Sequence, residues 1–588
     1  MADASTPSGG STSGGGTSGG GDPGSGTSGG TSYGDVGNID LMGWDTVFAL
    51  TLDALNKSIV SQKTTPADFS GKDPVGGASC TGAWDAWQVV GGEGNGILMT
   101  CPVTSGTLSA PGMSDVPLDG AVVEVMITLT KTPASQQLPD PTAKDGSGNT
   151  QHIVANQTTD EFEQPRVQSI TGIPGTALYP AEAAFNAYFQ NNLAAFNAVF
   201  AAVRLEEEAI EADKQWLKPA FSTYALASAG NGGNGGSSSP QDAAFALLSL
   251  VTPPTGTLPQ QNFDLRMFQV FANTAVTTNS VFAVSAPLAM QNIVLQAAQQ
   301  CVTGAQVTDF QIVNNGITVS NKNQLTWGNF QLTKDDPTSI VQPIIAPGDF
   351  QLTLDGMSFH LSISQASFTS PDGSCDIKLT ADQYFNIEAA KLSDGKYYLV
   401  PSPGLGTNSI RADVSPNKGF EIAMIIEGIA LGVIFAFIGG SLGEALGPAA
   451  STATEDGAGI ITATSEDLDN QIGEMSEEEI TQAENDGIDD ATESIASDGE
   501  NNGGRTGIFS NKYKVWGGVI GSMFAIPVGL LPQIMQAVWN DKITEGNVPT
   551  VDDFATNFSG AIQWPYVESW QVTGGTFRSA FLLGGSAQ

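Results

Sequence analysis

The chain has 588 residues, 40% hydrophobic and 14% charged, with 70 glycines and a formal net charge of −39. That length allows roughly two to four ordinary domains or one long one, and the apolar content supplies a substantial core. So negative a surface, with no cluster of Lys or Arg, excludes nucleic acid and weakens steady attraction to anionic lipid, so that any membrane contact must be apolar or local.

Residues 1–40 are a Gly/Ser/Thr tract with almost no side chain to bury, and are expected to form a disordered tether. The ordered region opens at Leu41. In "GWDTVFALTLDALNKSI", Gly43–Ile59, residues Val47, Ala49 and Thr51 alternate with Thr46, Phe48 and Leu50. Leu52, Leu55 and Ile59 then recur at helical intervals, so the pattern predicts a strand running into a helix. Next, "WDAWQVV" (Trp84–Val90), "GGEGNG" and "ILMTCPV" (Ile97–Val103) read as strand, Gly-rich turn and strand. Cys80 and Cys101 flank this hairpin and could pair. The remaining cysteines, Cys301 and Cys375, are dispersed and no C-x-x-C occurs, so neither a disulfide scaffold nor a structural zinc site is expected.

In "DGAVVEVMITLTKTP", Val123, Val125, Ile127 and Leu129 share one face while Glu124, Thr128 and Thr130 share the other, the pattern of a half-buried strand. "PAEAAFNAYFQNNLAAFNAVFAAV" is the most helical stretch. Pro180 fits a first turn, and Phe185, Phe189, Leu193, Phe196, Phe200 and Val203 make an apolar stripe. This face either packs as plain core on a sheet or lines a lipid-filled groove, and the two readings are compatible. "AGNGGNGGSSSP" contains Gly230, Gly232 and Gly235 at dinucleotide-fingerprint spacing. A Ser run and Pro240 follow where a helix should begin, and the motif is rejected.

From about residue 305 to 400 strands dominate. Asn314-Asn315-Gly316 marks one hairpin turn. Phe350, Leu352 and Leu354 alternate, then Phe359, Leu361 and Ile363, and a further strand pair brackets Asp394-Gly395. Then Gly428–Gly443 and Val515–Asn540 are uncharged, separated by an acidic stretch from Ser465 onward that is expected to be solvated and disordered. The two apolar runs read either as a buried helical pair or as a membrane-inserting hairpin, Ile422–Leu446 with Val515–Trp539.

Chemistry is sparse. His152 is expected in a polar loop and His360 on the solvent face of a strand, each without a nucleophile or metal partner nearby in sequence. No hydrolase, metalloprotease or phosphate-loop motif occurs. Asn156 and Asn557 open glycosylation sequons that matter only if the chain meets that machinery. The reading is a binder, not an enzyme, with no metal and no cofactor. No basic segment followed by an apolar one opens the chain, so cytoplasmic residence and non-conventional export are both open.

Four passages carry a family resemblance: the Gly43–Ile59 stretch, "NNLAAFNAVFAAV", "QWLKPAFSTYALA" (Gln215–Ala227) and "NFSGAIQWPYVESWQVTGGTFRSAFLLGG". In this order they resemble the TULIP (tubular lipid-binding) proteins encoded beside botulinum neurotoxins, namely the forty-seven-kilodalton component and the Orf-X group. The resemblance implies an α+β fold of elongated, strongly curved antiparallel sheets wrapped around long helices. It also places a strand from about Val199, where periodicity alone extends the helix to Val203. On this view the chain divides into a tail (1–40), a TULIP-like half (41–250), a β-rich half (251–415), an apolar helical hairpin (416–545, acidic insertion about 451–510) and closing strands (546–588).

Its implied function is to hold lipid or another apolar small molecule in a groove between sheet and helices, as an accessory in a toxin system. Periodicity nominates Phe185, Phe189, Leu193 and Phe196 with Ile429, Val433, Phe435 and Ile438 as lining residues. The expected partners are lipid, a toxin or fellow accessory proteins, and a transient membrane surface. The competing readings are a membrane-inserting effector and a protein-binding scaffold with a closed groove.

Overall fold

Extended chain becomes helix at Thr51 in the computed structural model. It describes residues 36–133, 150–204, 216–228, 243–416, 452–464, 551 and 561–588, with shorter gaps inside these spans. Strand β1 (Thr46–Thr51) runs directly into α1 (Leu52–Gln62), and the Thr51 hydroxyl accepts from Ala54 N as an N-cap. The helix stops at Lys63, which takes a left-handed φ of 54° and donates to Val60 O. Leu52, Leu55 and Ile59 face inward, as their spacing predicts.

The strands that follow are β2 (Asp68–Lys72), β3 (Ser79–Trp84), β4 (Gln88–Glu93), β5 (Gly96–Ser109), β6 (Val116–Pro117), β7 (Val122–Ile127), β8 (Leu129–Pro133), β9 (Thr150–Ala155) and β10 (Arg166–Thr171). Helix α2 (Leu178–Asn192) comes next, then β11 (Val199–Arg204), β12 (Phe221–Ser228), β13 (Ala243–Leu250) and β14 (Ser280–Ser285). One antiparallel sheet has the order β10-β7-β5-β3-β2, with β4 and β6 also on β5. A second joins β8, β9 and β11 to Ile562–Gln563.

Several expectations are corrected here. Trp84 closes β3 and Trp87 sits buried in the link to β4. Gly91 and Gly92 belong to β4, leaving only Gly94 and Asn95 for the turn. The register shifts between Val89 and Gly91, a bulge that a Gly-rich string disguises as a loop. His152 lies fully buried on β9 opposite Ala202 of β11, not in a polar loop, because Ile153 and Val154 draw the segment into the sheet. Cys80 and Cys101 are free buried thiols: Cys80 stands opposite Leu108 and Cys101 opposite Val123, at separate register positions.

Helix α2 ends at Asn192, one 3-10 turn follows, and Val199 begins β11, at the boundary the resemblance implies. Periodicity misses it because Ala198–Val203 is buried on every side, so no polar residue marks the change.

A central layer has the order β12-β13-β1-β14, then Ala580–Ala587, then Trp570–Phe577, all antiparallel. Its strands are buried on both faces and read as nearly continuous apolar runs. Phe48 and Leu50 face the larger core; Val47 and Ala49 face a smaller one closed by Ile39, Leu41, Trp44, Met267 and Phe271.

Beyond this layer the sheet continues through Phe350–Asp355, Ser358–Thr369, Cys375–Lys391 and Ser409–Pro416. Phe350, Leu352, Leu354, Phe359, Leu361 and Ile363 all point into the core, as their alternation predicts. Bulges between Ile363 and Ala366 and between Val572 and Gly574 add twist, and the antiparallel sheets are strongly curved. Helices are few among the described residues, α2 being the longest at 15 residues. None of them is long and apolar enough to cross a membrane. The tract 1–35, the acidic stretch, the two uncharged runs, Asp394 and Asn557 lie outside the described residues.

The Asn314-Asn315-Gly316 turn takes left-handed φ at all three residues: 51°, 56° and 92°. A Cβ at Gly316 would stand 2.7 Å from Pro287 Cβ. Gly316→Ala is therefore expected to lower stability by about 1–3 kcal/mol, read as a shift of the denaturant midpoint. An unchanged midpoint would mean that this hairpin tip moves freely away from Pro287.

Candidate functional site

Helix α2 packs over β2, β3 and β10 with Ala181, Ala184, Phe185, Tyr188 and Phe189 inward. The approach is close: a Cβ at Gly71 on β2 would lie 2.4 Å from Ala184 O, so only glycine fits beneath the helix. Phe69 and Trp84 rise from the sheet to meet it, with ring centroids 4.4 Å apart. Trp84 lies 5.6 Å from Phe185 and 5.9 Å from Phe189, and Trp87 lies 5.5 Å from Phe189 and 4.9 Å from Phe196.

The chain of rings does not stop there. Phe196 meets Phe200 at 6.3 Å, Phe200 meets Phe245 at 5.9 Å, Phe245 meets Trp564 at 6.1 Å, and Trp564 meets Phe48 at 5.4 Å. An aromatic belt thus runs from α2 to the central layer, with Leu52, Leu55 and Ile59 of α1 in the same core.

The predicted residues Phe185, Phe189, Leu193 and Phe196 come together in this belt, each fully buried. Ile429, Val433, Phe435 and Ile438 lie outside the described residues. Phe69, Trp84, Trp87 and Trp564 were missed by the sequence reading. The Trp84/Trp87 pair sits in a segment read as one strand, and Trp564 reaches the belt through long-range pairing that no local pattern encodes.

The titratable groups around the belt are held neutral. Burial pushes the Cys80 thiol up to about 12 and the Cys101 thiol well above its ordinary value. Burial also raises the Tyr188 phenol, whose oxygen accepts from Trp84 Nε1 at 3.3 Å. Protonated thiols and a neutral phenol offer no nucleophile at neutral pH. Among the described residues no group of three or more His, Cys, Asp or Glu could hold a metal. His360 lies partly exposed, stacked on Tyr384 at 4.2 Å, with its Nε2 2.7 Å from Asp382 Oδ1.

Two polar atoms stand out. Trp87 Nε1 and Trp564 Nε1 are both buried, and neither meets a hydrogen-bond acceptor. Buried indoles ordinarily find one, because an unmade bond forfeits the hydration each N–H had in water. Apart from these two donors and the bonded Trp84–Tyr188 pair, the belt is built of apolar ring faces and aliphatic side chains.

Known proteins share this architecture. A solved structure of P47 from Clostridium botulinum A2 matches with a TM-score of 0.55 at 14% identity, covering 94% of this chain and 99% of that one, a likeness of fold. Protein OrfX3 of Clostridium botulinum (strain Kyoto / Type A2) is 22% identical over 295 residues, 46% of this chain and 57% of that protein. Protein OrfX3 of Paraclostridium bifermentans is 38% identical over 63 residues, 10% of this chain and 13% of that protein. The chain spans little more than half the length of one of these curated relatives and about an eighth of the other. A family model described as OrfX-like, protein OrfX2/OrfX3/P47, matches residues 41–359, more than half of the sequence, and the chain belongs to that family.

Proposed function

We propose that the protein binds, without catalysis, an apolar ligand carrying a hydrogen-bond acceptor, such as an acyl ester, within the aromatic belt, and that it serves as an accessory in a toxin system. The observation that supports this reading is the pair of buried indole donors on Trp87 and Trp564 without acceptors. An ester carbonyl would satisfy one of them, and its acyl chain would replace ring-to-ring contact. At about 25 cal/mol per Å², one buried acyl chain contributes several kcal/mol, enough to hold a guest. The accessory role is supported by the likeness to OrfX3 and P47 of Clostridium botulinum.

The full burial of Phe185, Phe189 and Phe196 favours a second reading, a belt closed over its own rings in a scaffold that binds only proteins. Native mass spectrometry of the purified chain, followed by organic extraction, separates the two. The ligand reading expects lipid that co-purifies or exchanges in; if neither occurs, the scaffold reading takes its place. Trp87→Phe sharpens the test. The smaller ring leaves a void among rigid neighbours, so stability is expected to fall by about 1–3 kcal/mol even though an unpaired donor is removed, while the lipid retained falls as well. Because either indole could serve, the acceptor requirement is refuted by wild-type lipid retention in a chain carrying both Trp87→Phe and Trp564→Phe.

A further inference from the structure

Strands β2, β5 and β10 run in the same direction, because each is two antiparallel steps from the next in the order β10-β7-β5-β3-β2. The loops that follow them, 73–78, 110–115 and 172–177, therefore leave in the same direction, the third from a register position seven residues short of the second. The first two adjoin: a Cβ at Gly77 would lie 3.5 Å from Pro111 Cγ. Helix α2 starts directly after the third and carries Ala184 back over Gly71, two residues before the first loop begins.

This end is apolar where a soluble surface should be polar. Val75 is 94% exposed and Tyr179 83%, and Leu178 is exposed beside it. Pro74 and Pro111 are exposed on the neighbouring loops, with Met113 half-buried between core and solvent. The loops are also preorganised. The Asp73 carboxylate accepts from Val75 N at 2.9 Å and Gly76 N at 2.6 Å, and Met113 N donates to Ala110 O at 3.1 Å. Each loop contains a proline that restricts its backbone.

We infer that these loop tips are a membrane-docking surface that seats in the headgroup region of a zwitterionic bilayer. The exposed apolar side chains are carried on several loops and on the start of α2 and not on one continuous element, and a fluid interface adapts to each. Tyrosine with aliphatic neighbours is the composition favoured at the headgroup level, where one end of the ring is wet and the other apolar. Charge selects the lipid. The three loops contain Asp73 and Asp115 but no Lys or Arg, and the chain carries −39, so an anionic surface would repel this end and a phosphatidylcholine surface would not. Rigid tips lose little conformational freedom on seating, which favours binding, while the few apolar side chains they carry keep it weak and reversible, without insertion of a spanning segment. This surface is separate from the aromatic belt and does not depend on what the belt holds.

The test uses the full chain with phosphatidylcholine vesicles. Flotation is expected to recover the wild-type protein with the vesicles, and the doubly substituted Val75→Asp, Tyr179→Asp chain about tenfold or more less, at any salt concentration. Both side chains are exposed, so the thermal midpoint should not move. A single Val75→Trp chain should show a blue-shifted emission component, quenched by brominated phosphatidylcholine, that the wild type lacks. Equal flotation of wild type and double variant, no flotation of the wild type, or emission from the Val75→Trp chain that vesicles leave unshifted would each overturn the proposal. So would a wild-type dimer that the double variant dissociates, since the tips would then meet a second copy. Lipid extracted from the belt should be the same in wild type and double variant, which keeps this result apart from the fate of the ligand reading.

Discussion

Gln62→Leu is expected to lower stability by about 2–5 kcal/mol, a large effect for a change between side chains of similar size. Gln62 lies buried in the last turn of α1. Its Nε2 donates to Val199 O at 2.7 Å, and its Oε1 accepts from Val199 N at 2.7 Å. The side-chain amide thus acts as a peptide group paired with the first residue of β11. Leucine fills the volume but strands a buried N–H and a buried C=O, each costing about 1–3 kcal/mol. Asn56 makes the same exchange with Val89, donating and accepting at 2.8 Å, but it is only half-buried, so Asn56→Leu should cost less. Denaturant midpoints for the two variants check both the size and the order. A Gln62→Leu midpoint equal to wild type would show that water replaces the pair.

Phe189→Ala is the second large effect, at about 3–5 kcal/mol. Its ring is fully buried and lies 5.3 Å from Tyr188 as well as against Trp84 and Trp87. Truncation removes an aromatic side chain from a site whose neighbours are themselves rigid rings, so the void cannot collapse. An apolar void of this kind admits small apolar guests, and benzene should recover part of the lost midpoint. Loss without recovery would mean that the belt rearranges to close the gap. A loss under about 1 kcal/mol would mean that the rings are loosely held, as in an open groove.

The strand-to-helix switch at Thr51 was legible because two periods, alternation and then helical spacing, meet at a residue able to cap. The hairpins around Gly316 and Gly395 were legible from their turn residues, and the inward face of Phe350–Ile363 from strict alternation. Where burial is complete, these signals vanish. Ala198–Val203 fits either period, and the helix end there came from family likeness rather than from pattern. His152 looked polar in a polar string, yet strand pairing with β11 draws it inside. The belt was half legible: α2 shows its rings by spacing, whereas Trp564 joins through contact with Phe48 and Phe245, hundreds of residues away in the chain. Its unused donors are invisible in sequence, because a hydrogen-bond inventory needs coordinates.

The double-sided layer has a bearing on biosynthesis. β14 has β1 on one side and Ala580–Ala587 on the other, with Ser285 opposite Ala580. While a ribosome is still producing the intervening segments, the outer rim of β14 has no neighbour, and its unpaired backbone N–H and C=O groups, flanked by apolar side chains, are open to capture by another nascent copy. This rim therefore stays unpaired until residues 580–587 have been made, about three hundred residues after β14 itself.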